Sequence, residues 1–174
     1  MSPISLTPRQ VSQDCQNLRD LIKKMRVYGY EYEEYVHITG DGACFYNAVS
    51  MARYRTKEGQ MYVRKEAASL FRDENYIKKV YESHDHLIAR LDIKDGSNLE
   101  GWIEDVLMRK HAWVPQEDVI QAVASACEIS IIIWDNVDFT IYEFSDPTTN
   151  QVQPKIFLQY NGYHYDLLRA QRSA

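Results

Sequence analysis

Two short stretches of this 174-residue chain carry residue types that do chemistry together. Asp41-Gly42-Ala43-Cys44-Phe45-Tyr46 sets a cysteine just behind an Asp-Gly turn, where an amphipathic helix begins. Near the far end, Gly162-Tyr163-His164-Tyr165-Asp166 supplies a His-x-Asp. A thiol attacks a carbonyl as its thiolate, so a nucleophilic cysteine needs its pKa lowered. The first turn of a helix offers the positive end of the dipole. It also offers free backbone N–H groups, the cysteine's own among them, that hold a developing oxyanion. Gly42 lets the main chain approach a substrate carbonyl closely. His164 is the natural general base. On a strand, residues i and i+2 share a face, so Asp166 lies beside His164 and can fix its tautomer. Tyr165 points the other way, into the core. Cys44, His164 and Asp166 are the parts of a cysteine hydrolase.

The elements that must position them are legible in outline. Thr7-Pro8-Arg9-Gln10 reads as a capping box with Pro at the first helical position, and Val11, Cys15, Leu18, Ile22 and Met25 share one face. The spacing predicts a helix from Thr7 to about residue 26. Tyr28 to Tyr35 carries aromatics at alternate positions until the pattern breaks at Glu34, as expected of an extended segment. Its tyrosines make either a half-buried face or a partner-binding surface. Phe45, Ala48, Val49 and Ala52 then follow helical spacing from Cys44. A second helix is predicted over residues 58–72 with Val63, Ala67, Leu70 and Phe71 inward.

Residues 73–96 are polar and resolve into no clear element, ending in a turn and cap at Asp95-Gly96-Ser97-Asn98. Leu99, Trp102, Ile103, Val106 and Leu107 predict one amphipathic helix, and Pro115 opens another carrying Val119, Ile120, Val123, Ala126 and Cys127. Ile129 to Trp134 reads as a strand buried on both faces. Phe139 to Phe144, Ile156 to Tyr160 and Tyr163 to Leu168 read as further strands, the last two joined by the Asn161-Gly162 hairpin.

Length favours one domain, and a net charge of −5 argues against a general nucleic-acid binder, which needs a basic footprint. Cys15, Cys44 and Cys127 are too few for a disulfide scaffold and show no zinc-type spacing, so a reducing compartment is expected. Cys15 and Cys127 fall on apolar helix faces and read as core. No apolar run reaches membrane-spanning length, and there is no apolar secretory signal core. His84-Asp85-His86 lacks partners at ligand spacing and reads as an exposed polar stretch. His111 sits at a predicted helix end, where a cation suits the dipole. His37 reads as a structural residue of the strand before the nucleophile loop.

Asp41-Gly42-Ala43-Cys44-Phe45-Tyr46-Asn47-Ala48 resembles the nucleophile motif of the ovarian-tumour (OTU) cysteine proteases. Ile156-Phe157-Leu158-Gln159-Tyr160 leading to His164-Tyr165-Asp166 is similar to their histidine motif. Trp113, Pro115-Gln116-Glu117 and Ile131-Ile132-Ile133 resemble their central block, so the resemblance covers about residues 35–169. It implies a papain-like α/β (α+β) domain whose central sheet is sandwiched between helices. It also implies hydrolysis of the isopeptide bond after the C-terminal glycine of ubiquitin, through a thioester on Cys44. Carried over, His164 is the base, Asp166 orients it, and Asp41 heads an oxyanion loop of Asp41, Gly42, Ala43 and Cys44. Ala43 stands where the family often has Asn, a small departure in a loop that works through backbone.

No metal and no cofactor are implied. The partners expected are ubiquitin or polyubiquitin chains, with no nucleic acid and no membrane. The domain is expected to be a cytoplasmic monomer, in the host cytoplasm if it is a pathogen effector. Residues 1–27 are expected as a helical extension and 28–174 as the catalytic domain, one globular unit together. Glu31, Glu33, Glu34, Asp135 and Asp138 are available to meet the basic tail of ubiquitin. Two other readings stay open: a ubiquitin-binding module without turnover, and a protease of a ubiquitin-like modifier or a polyprotein.

Overall fold

Ile131-Ile132-Ile133-Trp134 is apolar at every position, and each residue finds a core. In the computed structural model, residues 9–12, 14–40, 42–56, 58–94, 96–109 and 115–174 are described. The strands are β1 (Arg9–Ser12), β2 (Tyr30–Val36), β3 (Ser130–Asp135), β4 (Thr140–Phe144), β5 (Lys155–Tyr160) and β6 (Tyr165–Arg172). They form one mixed sheet in the order β1-β4-β3-β5-β6-β2. Only the β3–β5 pair is parallel among these. Ile131 and Ile133 face one core while Ile132 and Trp134 face the other, which is why the strand shows no polar alternation.

The larger core lies between the sheet and α2 (Cys44–Tyr54), α3 (Gln60–Phe71), α4 (Glu74–Tyr81), α5 (His84–Arg90), α6 (Leu99–Trp102) and α7 (Glu117–Cys127). Across the sheet, α1 (Leu18–Val27) closes a smaller core of Leu21, Met25, Tyr30, Trp134, Phe157 and Leu168 with others. The sheet is thus sandwiched between helices, in the α/β architecture expected. Cys15 and Cys127 are core residues, and no helix among the described residues is long and apolar enough to cross a membrane.

Three expectations need correction. The helix predicted from Thr7 is instead β1 followed by α1 starting at Leu18. The edge of β4 takes Arg9–Ser12 into its ladder, and the Asn17 side chain caps α1 by accepting from the Asp20 N–H at 3.0 Å. Thr7 and Pro8 lie outside the described residues. Arg9–Ser12 therefore belong to the same sheet and α1 packs on it, while Trp134 Nε1 donates to the Cys15 carbonyl at 2.7 Å.

The single helix predicted over 99–107 is α6 running into a π-helical turn at Ile103–Leu107. The wider turn rotates Val106 outward, to 44% exposure, while Ile103 and Leu107 stay buried. The polar stretch 73–96 holds two short capped helices. Asp73 caps α4 and Ser83 caps α5, each accepting from first-turn N–H groups.

Arg64 on α3 is fully buried and lies over the Tyr46 ring at 4.2 Å, donating to the Leu107 carbonyl at 3.0 Å. This ties α2 to α3 and to the end of the π turn.

Candidate active site

The register of β2 on β6 decides what surrounds Asp166. Tyr30 pairs with Arg172 and Tyr32 with Ala170, so both tyrosines face the side of the sheet that Leu168 and Asp166 share. A bulge then intervenes between Tyr32 and Glu34, and Tyr35 pairs with Leu168. One extra residue shifts the face. Without it Glu34 would stand on the Asp166 side, carboxylate near carboxylate. With it Tyr35 and His37 take that side, and Glu34 pairs outward with Arg169. The break in aromatic alternation at Glu34 is the trace of this bulge in the sequence.

Asp166 collects donors from both strands. His164 Nε2 lies 2.8 Å from Oδ1, and the Ile38 backbone N–H donates to the same oxygen at 2.8 Å. Tyr35 donates its hydroxyl to Oδ2. His37 Nδ1 approaches Oδ1 at 3.2 Å, and its ring lies against that of His164 with centroids 5.4 Å apart. Burial pushes the Asp166 carboxyl up, but Ile38, Tyr35 and His164 together hold it below its usual range. It is a carboxylate. The same contact, added to burial, pushes the Tyr35 hydroxyl well up.

With Nε2 committed to Asp166, the Nδ1 edge of His164 is left for chemistry. That edge turns toward Gly40, where a Cβ would stand 3.6 Å from Nδ1. Gly40 leads through Gly42, at φ +86°, into Cys44. Asp41, the expected head of the oxyanion loop, lies outside the described residues.

Cys44 opens α2 as expected, with Ala43 at the N-cap. Its thiol is pushed up by burial above all, and the nearby Asp166 charge adds to this. Backbone N–H groups of Tyr165, Phe45 and Cys44 itself act in the opposite sense, favouring the thiolate. The helix terminus is in place, yet the residue is only 1% exposed and the lowered pKa expected from the sequence is not met in the free domain. Dryness wins over the dipole.

Ring packing fixes helix against strand. Tyr165 points into the core as predicted and meets Phe45 edge-on, while stacking at 4.7 Å on Tyr160. Beneath them a cavity of about 250 Å³ is lined by Glu117, Asp135, Tyr142, Tyr160 and Tyr165 among others. Of the acidic residues expected to meet a basic tail, Asp135 alone lines this cavity. Glu31 pairs with Arg26, Glu34 with Arg169, and Asp138 accepts from Tyr142.

His84 is spent on Glu74 at 2.9 Å and His86 on the Tyr81 carbonyl at 2.9 Å, in keeping with the polar-stretch reading. Trp113 and His111 lie outside the described residues. Sequence reasoning missed Tyr35 and assigned His37 no part in the site. The signal available was their i, i+2 spacing on a strand just before the nucleophile loop.

No family model matches the sequence, and no curated protein matches it either. The fold, in contrast, has many solved counterparts, OTU domains among them. The viral OTU domain protease from Farallon virus is 23% identical, with 79% of this chain on 84% of that one at a TM-score of 0.55. The OTU domain of OTUD1 is 18% identical, with 87% of this chain on 93% of that one at 0.57. The Hazara virus OTU bound to ubiquitin is 17% identical, with 82% on 89% at 0.55. This chain has the OTU fold.

Proposed function

We propose that the chain is a deubiquitinating cysteine protease that cuts after the C-terminal glycine of ubiquitin. The observation that carries the reading is the Nε2 contact of His164 with the Asp166 carboxylate, in an OTU fold whose nucleophile helix begins at Cys44. An imidazole held at Nε2 keeps Nδ1 as the acceptor for the thiol proton.

The thiolate attacks the glycine carbonyl, and N–H groups of the loop and first turn stabilise the tetrahedral oxyanion. His164 returns the proton to the leaving lysine amine, and a thioester remains on Cys44. Water, deprotonated by His164, then hydrolyses the thioester and frees the ubiquitin carboxylate. Cys44 is 1% exposed, so its surroundings have to rearrange for the carbonyl to reach it. Two neighbours of this fold are described as bound to ubiquitin, which supports ubiquitin as the partner.

The test is incubation with ubiquitin carrying a thiol-reactive C-terminus, beside Cys44→Ala. A single-ubiquitin adduct that disappears in the variant is expected. A folded protein that forms no adduct would overturn the reading, and the same assay with ubiquitin-like modifiers would identify another substrate.

A further inference from the structure

The carboxylate that holds the base is shared by a second imidazole. We propose that His37, His164 and Asp166 form a divalent-metal site, with zinc as the fitting ion, whose occupation switches the base off. Binding at this site stands apart from the proposed activity. The inhibitory consequence rests on it.

The donor set is two imidazole nitrogens and one carboxylate oxygen. Catalytic-type zinc sites use three such protein ligands and keep a fourth position for water. Nitrogen-rich sets favour zinc over magnesium or calcium, which take oxygen. One ligand atom from each residue lies within 4.8 Å of the other two. His164 Nε2 and His37 Nδ1 stand 2.8 and 3.2 Å from Asp166 Oδ1. Around a tetrahedral zinc with bonds of ~2.0–2.1 Å, ligand atoms sit roughly 3.3 Å apart. The two contacts to Oδ1 open by roughly 0.1–0.5 Å, and the two nitrogens, within 4.8 Å of each other, settle to the same spacing. Among the described residues, no other trio of His, Cys, Asp or Glu converges in this way.

Support and access are also present. Outer hydrogen bonds orient metal ligands, and here Tyr35 and the Ile38 N–H already fix the carboxylate. The His37 side chain is 74% exposed, whereas Asp166 is 7%. An ion enters from the His37 side, and that side also supplies the water for the fourth position.

The effect on chemistry follows from tautomers. To contact the carboxylate, His164 Nε2 acts as an N–H donor. To bind a metal each ring must offer a lone pair, so His164 moves its proton from Nε2 to Nδ1. For His164 the proton then sits on Nδ1, the atom that has to accept from Cys44. The base is blocked without any metal–sulfur bond.

Three measurements test this on the full chain. Calorimetric titration of Zn²⁺ into Cys44→Ala is expected to show one-site binding, weakened by ~10-fold or more on adding His37→Ala. Co²⁺ in the parent protein is expected to give ligand-field bands with no thiolate charge-transfer band. Loss of binding in Cys44→Ala, or a thiolate band, would overturn the site in favour of one on Cys44. Equal affinity with and without His37 would overturn it as well. In activity assays, the Zn²⁺ concentration that halves each variant's own rate is expected to rise by ~10-fold or more in His37→Ala. If binding holds but no ubiquitin adduct forms, the metal site stands and the proposed function fails.

Discussion

The ring of Phe45 meets that of Tyr165 edge-on, with centroids 5.3 Å apart at 68°. One ring follows the proposed nucleophile in the chain and the other follows the proposed base, so the contact sets the spacing between helix and strand. Phe45→Leu stays apolar but loses the ring pairs with Tyr165 and Tyr46, together worth about 1–3 kcal/mol. Stability is expected to fall by that amount. Turnover is expected to fall further, by roughly tenfold or more in kcat/KM, because small displacements of reacting groups are costly. Thermal melts beside rates on a fluorogenic ubiquitin substrate check this, and an unchanged kcat/KM would show that the rings do not set the spacing.

Tyr35→Phe removes one donor from the Asp166 carboxylate and little else. A hydrogen bond to a charged group is worth about 1.5–3 kcal/mol. The expected result is a loss of about tenfold in kcat with KM nearly unchanged, since Tyr35 acts through Asp166. A change confined to KM would assign Tyr35 to substrate contact instead.

His164→Ala and Asp166→Ala are expected to differ in severity. Removing a base costs on the order of 10⁶ in kcat and removing its orienting carboxylate on the order of 10⁴ in a well-measured hydrolase. The same order is expected here, with adduct formation by the thiol-reactive probe slowed in parallel. A His164→Ala variant as active as the parent would dismantle the triad.

All three thiols are raised by burial, Cys15 to about 11 and Cys44 and Cys127 in the same direction. In the unfolded chain they ionise at the ordinary thiol value of about 8.5. Above that pH the unfolded state releases protons that the folded state retains, so stability falls as pH rises. Below it the contribution is fully present. Denaturant midpoints are expected to drop between about pH 8.5 and 11, less steeply in Cys15→Ala. Alkylation of Cys44 in the free domain is likewise expected to reach half-maximum above the ordinary thiol pH.

The residues proposed to react were legible because their signals are local. A turn, a cysteine and a helix period sit within a dozen positions, and His164 and Asp166 are two residues apart. Strand β3 was legible because four consecutive apolar residues have few alternatives. Tyr35 and His37 were not, since their facing depends on a bulge and on pairing with a strand more than a hundred residues away. The first helix was misread because the open edge of β4 outcompetes a local capping pattern for Arg9–Ser12. Helices α4 and α5 hid in their shortness. Asp73 and Ser83 were readable caps, but the eight and seven residues that follow carry too few periods to stand out.

The pairing of β2 with β6 also dictates an order of assembly. Tyr35 and Asp166 lie 131 positions apart, so the carboxylate cannot be braced until β6 has been synthesised and docked. Contacts of such long sequence separation form late, after local helices. On the ribosome, α2 emerges while the strand that carries Asp166 is still unmade. The nascent chain therefore holds Cys44 without the imidazole and carboxylate proposed to activate it.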